Sequence, residues 1–423
     1  MKAYPEYKDS GVAWIGMIPK HWEVNALKWC VNLGKNKTSE KRLPYVDLEH
    51  IESYTGKILP LGDAIPDSIC NTFSKGDVLF CKLRPYLAKC VIAPFNGMCS
   101  SELLVLKDFI GIPRYLNYLL LAKDFIMLVD SSTYGSKMPR ANWSFIGNCL
   151  IPLPPMEEQQ AMAAYLDRVT AETDRAIGQQ QRLIDLLTER KQIIIQRTVT
   201  RGLDPNATNV EWIPLRYVFE IRNGYTPSKK VSAYWTGGNI PWFRMEDIRK
   251  SGRILSDSIQ HITSKAVKGK GLFKANSFIL ATTATIGEHA LLIADSLANQ
   301  RFTNLKICKS PSDRFDIKFL FYYMFVIGDW CKTSVNTTCF SSVDIGELKA
   351  QRIPLYPLSE QQAIAEYLDR ATAKIDAAIA RQQKMIDLLT ERKQIIVSEV
   401  VTGRINVSNG EQINIVKNAG KAL

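Results

Sequence analysis

The residues of this 423-residue chain best suited to chemistry are hydrogen-bond donors held in loops punctuated by glycine, proline and asparagine. Lys82, Arg84 and Tyr86 stand together after an apolar run, and Tyr134, Ser136, Lys137, Arg140 and Asn142 crowd a later loop around Gly135. Tyr225, Thr226, Ser228, Lys229 and Lys230 follow Asn223-Gly224, and Arg244, Thr282, Thr283, Arg301 and Asn336 add further donors. Arginine and lysine can grip guanine edges or phosphates, asparagine can bracket adenine, and hydroxyls fix register. Taken singly, each loop reads as an ordinary solvated turn; the case rests on their gathering in two basic segments. The chemistry they offer is recognition of DNA, without bond-making.

Bond-making chemistry has no comparable signature. Lys268-Gly269-Lys270-Gly271 lacks the spacing and the strand–helix setting of a nucleotide loop, and Asp204-Pro205-Asn206 reads as a plain turn. His21, His50, His261 and His289 are scattered, with no cysteine at ligand spacing, so neither a zinc site nor a catalytic triad is expected. Nine cysteines without CxxC pairing read as free, partly buried thiols of a reducing cytoplasm. No apolar run reaches bilayer length and the first residues lack a signal core, so no membrane partner and no export are expected.

The elements that must carry these loops are written twice. IPLPPMEEQQAMAAYLDRVTAETDRAIGQQQRLIDLLTERKQIIIQRTVT starts at Ile151, and IPLYPLSEQQAIAEYLDRATAKIDAAIARQQKMIDLLTERKQIIVSEVVT starts at Ile353; about two-thirds of positions agree without a gap. Proline is absent from 157–201 and from 359–402, and the composition favours helix. Prolines 154, 155 and 357 fix the starts, Ser359 with Gln362 reads as a capping box, and Gly202 and Gly403 mark the exits. At ~1.5 Å per residue each helix is a rod of roughly 65 Å. Ile177, Ile184, Leu187 and Ile194 form one stripe, repeated as Ile379, Ile386, Leu389 and Ile396. A lone helix of that length needs a partner, and each copy can serve the other, returning antiparallel.

The chain therefore reads as a head over 1–155, a helical spacer over 156–202, a second head over 203–357, a second spacer over 358–404 and a tail over 405–423. Of the net charge of +12, a surplus of four sits on the first head and seven on the second, the tail adds one, and both helices are balanced. A basic surplus on a globular head is the footprint of a phosphate-binding surface. Runs such as LPYVDLEHI, KGDVLFCKL and CVIAPF, or NIPWFRMEDI, ANSFILATTA and HALLIAD, predict strands, and helical stretches are expected near 113–129 and 317–330. The expected class is α+β. Two mixed α/β heads are separated by two long helices in an intramolecular antiparallel coiled coil, a pseudo-twofold internal repeat.

The paired IPLPPMEEQQ and IPLYPLSEQQ segments, the paired LLTERKQ helices, GYTPSKK with GGNIPWF, KGDVLFCKLRPYLAK and YGSKMPRANWSFIGNCLIPLPP together resemble the DNA-specificity subunit of bacterial type I restriction–modification systems, over residues 10–404. The resemblance implies a non-catalytic chain whose two target-recognition domains each read half of a split, asymmetric site in double-stranded DNA. It implies helices that space the domains and dock two methyltransferase subunits, with two motor–nuclease subunits in the full assembly. S-adenosylmethionine, ATP and magnesium would be used by those partners, and no cofactor by this chain. Facing one side of a duplex puts half-site centres about one turn, roughly 34 Å, apart. Competing readings are a regulator with two unlike DNA-binding heads, a self-contained methyltransferase–nuclease, and a pure scaffold. The first would show a helix-turn-helix signature, the second needs catalytic motifs, and the third leaves the basic heads unexplained.

Overall fold

The computed structural model of the chain describes residues 3–39, 42–62, 69–204, 210–308, 314–334 and 342–407. Two compact units emerge: Met1–Arg182 with Gln382–Leu423, and Leu183–Arg381. Both divisions fall inside a long helix, Met156–Arg201 or Leu358–Val401. Each unit thus holds one head, the first part of one helix and the last part of the other.

In the first unit, a sheet with strand order Asn32–Leu33, Leu103–Lys107, Val78–Cys81 and Cys90–Ile92 is antiparallel throughout. The fully buried run Val78–Cys81 explains its own composition. Val78 and Phe80 enter one hydrophobic core and Leu79 and Cys81 another, because alternate side chains leave opposite faces of a strand. A second sheet holds Lys37–Thr38, Cys70–Phe73, Gly97–Cys99 and Tyr45–Val46, the last pairing parallel.

The second unit repeats the plan. Phe219–Asn223, Phe302–Ile307, Ser277–Ala281, His289–Leu292 and Ile254–Leu255 form five strands, and Phe278 and Leu280 face one core while Ile279 and Ala281 face the other. His261–Ile262, Ile240–Phe243 and Leu297–Ala298 form the smaller sheet. In both units a strand early in the head closes on the strand before the long helix: Glu23–Ala26 on Leu150–Leu153, and Glu211–Pro214 on Arg352–Leu355, both antiparallel.

The long helices are part of the cores. Met162, Leu166 and Val169 join the first core together with Ile396, Val397, Val400 and Val401. In the second unit Ile195 and Val199 join Ile364 and Leu368. The helix segments run antiparallel within each unit: Asp174 meets Lys393 in the first, and Lys191 meets Asp376 in the second. Of the apolar stripe, Leu389 and Ile396 are buried, and Ile177, Ile184, Leu187, Ile194, Ile379 and Ile386 are half-buried. Leu389 packs with Ala176, Ile177 and Met385, whereas Ile396 belongs to the first head's core and Ile194 borders the second's.

Gly202 and Gly403 follow the helix ends with φ of +74° and +76°, the left-handed turn that favours glycine. A Cβ there would lie 2.6 Å from the Glu360 carboxylate or 2.5 Å from the Pro19 ring. Two local expectations change. The second long helix begins at Leu358, so Ser359 lies inside its first turn and is not its cap. The stretch near 113–129 is two helices, Pro113–Leu121 and Lys123–Ser131, broken at Ala122, which is extended at ψ 133° and buried. Alanine favours helix, so tertiary packing overrides propensity there.

Candidate nucleic-acid interface

The head helices dock on the long helices through one repeated set of contacts. Tyr118 donates to Asp167 at 2.9 Å, and Arg114 pairs with the same carboxylate at 2.8 Å. In the second unit Tyr322 donates to Asp369 at 2.7 Å, and Lys318 pairs with it at 2.9 Å. Gln159 is buried, accepting from the Ile112 amide at 2.9 Å and donating to the Pro154 carbonyl at 2.8 Å. Gln361 repeats this with the Asp316 amide and the Tyr356 carbonyl. Both heads are therefore anchored alike, and what differs lies in their loops.

On the first head, two loops about fifty residues apart in sequence become one surface. Leu83 and Arg140 form a β-bridge, the Arg84 amide donates to the Pro139 carbonyl at 2.7 Å, and the Ala141 amide to the Lys82 carbonyl at 2.9 Å. Arg84 turns with φ +49°, uncommon for a side chain bearing a Cβ. Tyr86 and Tyr134 are exposed, as are Ser136 and Lys137, while Lys82 and Arg84 are half-buried. Arg140 does structural service as well: its Nε donates to Glu102 Oε1 at 3.1 Å, and its backbone pairs twice with Tyr134. The Asn142 carboxamide oxygen accepts from the Ser144 amide, capping the short helix Trp143–Ile146.

The second head builds the same frame with other side chains. Thr283 bridges to Ser342, the Val343 amide donates to the Thr282 carbonyl at 2.9 Å, and Ala284 takes the left-handed turn at φ +64°. The Lys82 amide donates to the Glu102 carbonyl, and the Thr282 amide to the Arg301 carbonyl, each at 3.0 Å. Equivalent seats thus hold Lys82, Glu102 and Arg140 in one head, and Thr282, Arg301 and Ser342 in the other. Thr282 is buried, its hydroxyl 3.0 Å from that of Thr303, whereas Arg301 is exposed.

Beside this frame, Tyr225 is a brace: its hydroxyl donates to the Ala266 carbonyl at 2.8 Å and accepts from the Lys268 amide at 2.9 Å. Thr226 donates to the Gln300 side chain. Ser228, Lys229 and Lys230 are exposed, and the Ser228 carbonyl accepts from the Trp235 indole. Arg244 pairs with Glu246 at 2.7 Å, and its Nε is buried without a partner among the described residues. Asn336 lies outside the described residues. Sequence reading passed over Glu102, since a lone carboxylate gives no signal until its partner is known. It treated Lys268 and Lys270 only as a failed nucleotide loop.

Among the described residues, no three His, Cys, Asp or Glu side chains gather as a metal ion requires. The cysteines among them form no disulfides; all are buried except the half-buried Cys308. No helix among them is long and apolar enough to cross a membrane.

Comparison with known proteins fits this doubled construction. Residues 19–184 and 208–385 each match the family described as Type I restriction modification DNA specificity domain. A 175-residue stretch is 49% identical to the type I restriction enzyme EcoprrI specificity subunit of Escherichia coli, covering 40% of this chain and 44% of that relative, so it spans less than half of that protein. A longer likeness, 24% identical over 428 residues and covering 93% of this chain and 96% of the other, is to the putative type I restriction enzyme MjaX specificity subunit of Methanocaldococcus jannaschii. In fold, the chain resembles a solved structure described as the structural basis underlying complex assembly and conformational transition of the type I R-M system. The TM-score is 0.68 at 21% identity, over 92% of this chain and 99% of that one.

Proposed function

Because the chain belongs to the type I restriction–modification DNA-specificity family, we propose that its two heads each read one half of a bipartite, asymmetric site in double-stranded DNA. The observation that carries the reading is one loop-on-loop frame built twice with different side chains: Lys82, Glu102 and Arg140 against Thr282, Arg301 and Ser342. A common frame fixes how a head meets a duplex, and different donors at the same seats read different bases. As a specificity subunit the chain supplies the address and performs no catalysis.

The finer architecture belongs to the same proposal. The long helices form an intramolecular antiparallel coiled coil that relates the heads by a pseudo-twofold repeat and sets the unread gap. Antiparallel contacts within each unit, Asp174–Lys393 and Lys191–Asp376, support this. The partners are two methyltransferase subunits, which flip and methylate an adenine in each half-site using S-adenosylmethionine, and two ATP- and magnesium-dependent motor–nuclease subunits. Ile193 and Ile395, at matching positions of the two helices, are exposed apolar side chains that such partners would cover. The assembly works in the cytoplasm.

The test is a head exchange. Replacing residues 1–150 with another family head, followed by sequencing of modified bases in an expressing strain, is expected to change one half of the methylated sequence. A change in both halves would overturn modular reading. The purified chain with DNA and S-adenosylmethionine is expected to transfer no methyl group.

A further inference from the structure

The larger basic surplus of the second head is concentrated where sequence reading found only a failed nucleotide loop. Lys265, Lys268, Lys270 and Lys274 are all exposed on one loop, residues 265–274. Two clamps hold that loop in place. Tyr225 takes both the Ala266 carbonyl and the Lys268 amide, with Lys268 Nζ 5.1 Å from its ring centre. Arg222 donates to the Lys270 carbonyl and lies 4.6 Å from the centre of the Phe273 ring. Between loop and sheet lies a concavity of about 250 Å³ lined by Arg222, Lys270, Lys274, Lys306, Asn304 and Glu220.

The charges lining it are incompletely balanced. Lys274 pairs with Asp295 at 2.6 Å, and Lys306 with Glu220 at 3.7 Å. Among the described residues, no carboxylate pairs with Arg222 or Lys270. Burial pulls the Arg222 guanidinium below its ordinary value, and the charge of Glu220 in the same lining offsets that only in part. A half-buried cation facing a cavity is stabilised by an anion that fills it.

The first head has no counterpart. By strand register, Gly34 stands opposite Val105 where Arg222 stands opposite Asn304. The first head's sequence from 61 to 74 carries Asp63 and Asp67 and no lysine or arginine. The feature is therefore a property of one head and not of the shared frame.

We propose that this concavity seats a phosphodiester group of bound DNA, held by Arg222 and Lys270 with Lys306 behind them, so that the second head contributes an extra, sequence-independent backbone contact. The inference rests on the DNA reading above and adds residues that reading did not include. Loop 265–274 is joined through Tyr225 to Thr226 and its Gln300 partner, which places the contact beside the reading surface.

The experiment measures affinity of the full chain, with its methyltransferase partner, for its cognate duplex as salt is raised. Each phosphate contact contributes about 0.9 to the slope of log K against log salt. The ratio of affinities at 50 and 200 mM salt is expected to shrink by roughly three- to fourfold for Lys270→Gln and for Arg222→Gln. Arg222→Lys is expected to keep the slope, and discrimination against single mismatches should stay unchanged. Lys270 is exposed, so its variant answers even if loss of Arg222 disturbs packing on Phe273. Slopes equal to wild type in both glutamine variants would overturn the proposal. So would inorganic phosphate raising the melting temperature of the wild type but not of the variants while their DNA slopes stay the same; the seat would then serve a free anion. A wild-type complex that showed no preference for its cognate duplex would instead bring down the DNA reading itself.

Discussion

Asp174 of the first long helix accepts a hydrogen bond from Lys393 of the second at 2.6 Å, and its other oxygen accepts from Lys57 of the first head at the same distance. Asp376 and Lys191 hold the reciprocal helix–helix pair at 2.7 Å, without a third partner among the described residues. The Asp174 side chain is 24% exposed and Lys393 12%, whereas Asp376 is 55% exposed and Lys191 24%. Equal residues at equivalent positions thus stand in unequal surroundings, and the energetics follow the surroundings.

Asp174→Asn leaves Lys393 buried without its counter-ion, and the expected cost is about 2 kcal/mol of unfolding free energy. Asp376→Asn removes a pair open to solvent and is expected to cost under about 1 kcal/mol. Urea unfolding of the two variants checks the difference; equal losses would contradict it. Burial raises the Asp174 carboxyl, but the hydrogen bonds of Lys393 and Lys57 outweigh it and hold the group below the usual carboxylate range. A depressed acid contributes stability that is complete above its unfolded pKa and is lost as pH falls through its folded one, so this contribution disappears below about pH 4.

His289 is fully buried in the second head, against Phe325 at 4.6 Å, with no partner for Nε2 among the described residues. Burial, then the nearby charge of Arg253, pushes its imidazole down to about 3. It folds neutral, so stability is complete above the unfolded value near 6.5 and declines as pH falls from there towards 3. Between pH 8 and 5 the second unit is expected to lose about 2 kcal/mol through this residue. Replacement by Gln should remove that share of the pH dependence in equilibrium unfolding.

Gln159→Ala would strip the Ile112 amide and the Pro154 carbonyl of their buried partner. Two unsatisfied buried groups predict a loss of about 2–4 kcal/mol. Hydrogen exchange at the Ile112 amide should accelerate, and Gln361→Ala should do the same for the Asp316 amide. Unchanged exchange in both would show that the glutamines do not anchor the heads.

Arg140 serves two ends, and its removal separates them. Arg140→Ala leaves Glu102, whose Oε2 already lacks a hydrogen-bond partner among the described residues, as a poorly compensated carboxylate. The expected outcome is a first unit less stable by about 1–2 kcal/mol, together with altered base preference in one half-site only. Altered preference in both halves would count against independent heads.

Lengthening the first long helix by one or two turns is expected to widen the gap between the methylated half-sites and leave their sequences unchanged. Modified-base sequencing reads both quantities at once.

How much of this was legible beforehand depended on distance along the chain. Local composition alone specified the two long helices, their glycine exits and the apolar runs that become central strands, because propensity, periodicity and left-handed turns act over a few residues. The repeated segments also identified the family. Local signal failed at Ala122, where an excellent helix former breaks a helix, and at Ser359, two residues too late to cap. Arg140 and Asn142 were singled out as contacts, yet each also carries a structural bond whose partner the chain does not reveal locally.

The sequence by itself determined that there are two unlike basic heads on one duplicated helical frame. Only the tertiary structure decided that each head's core is completed by the far end of the other repeat's helix, as Val400 and Val401 do for the first and Val199 for the second. It alone decided that Leu83 meets Arg140, that Thr283 meets Ser342, and that Arg222 faces a cavity. Those outcomes depend on contacts between residues far apart in sequence, whose energies appear when strands register and helices pack and leave no trace in local composition.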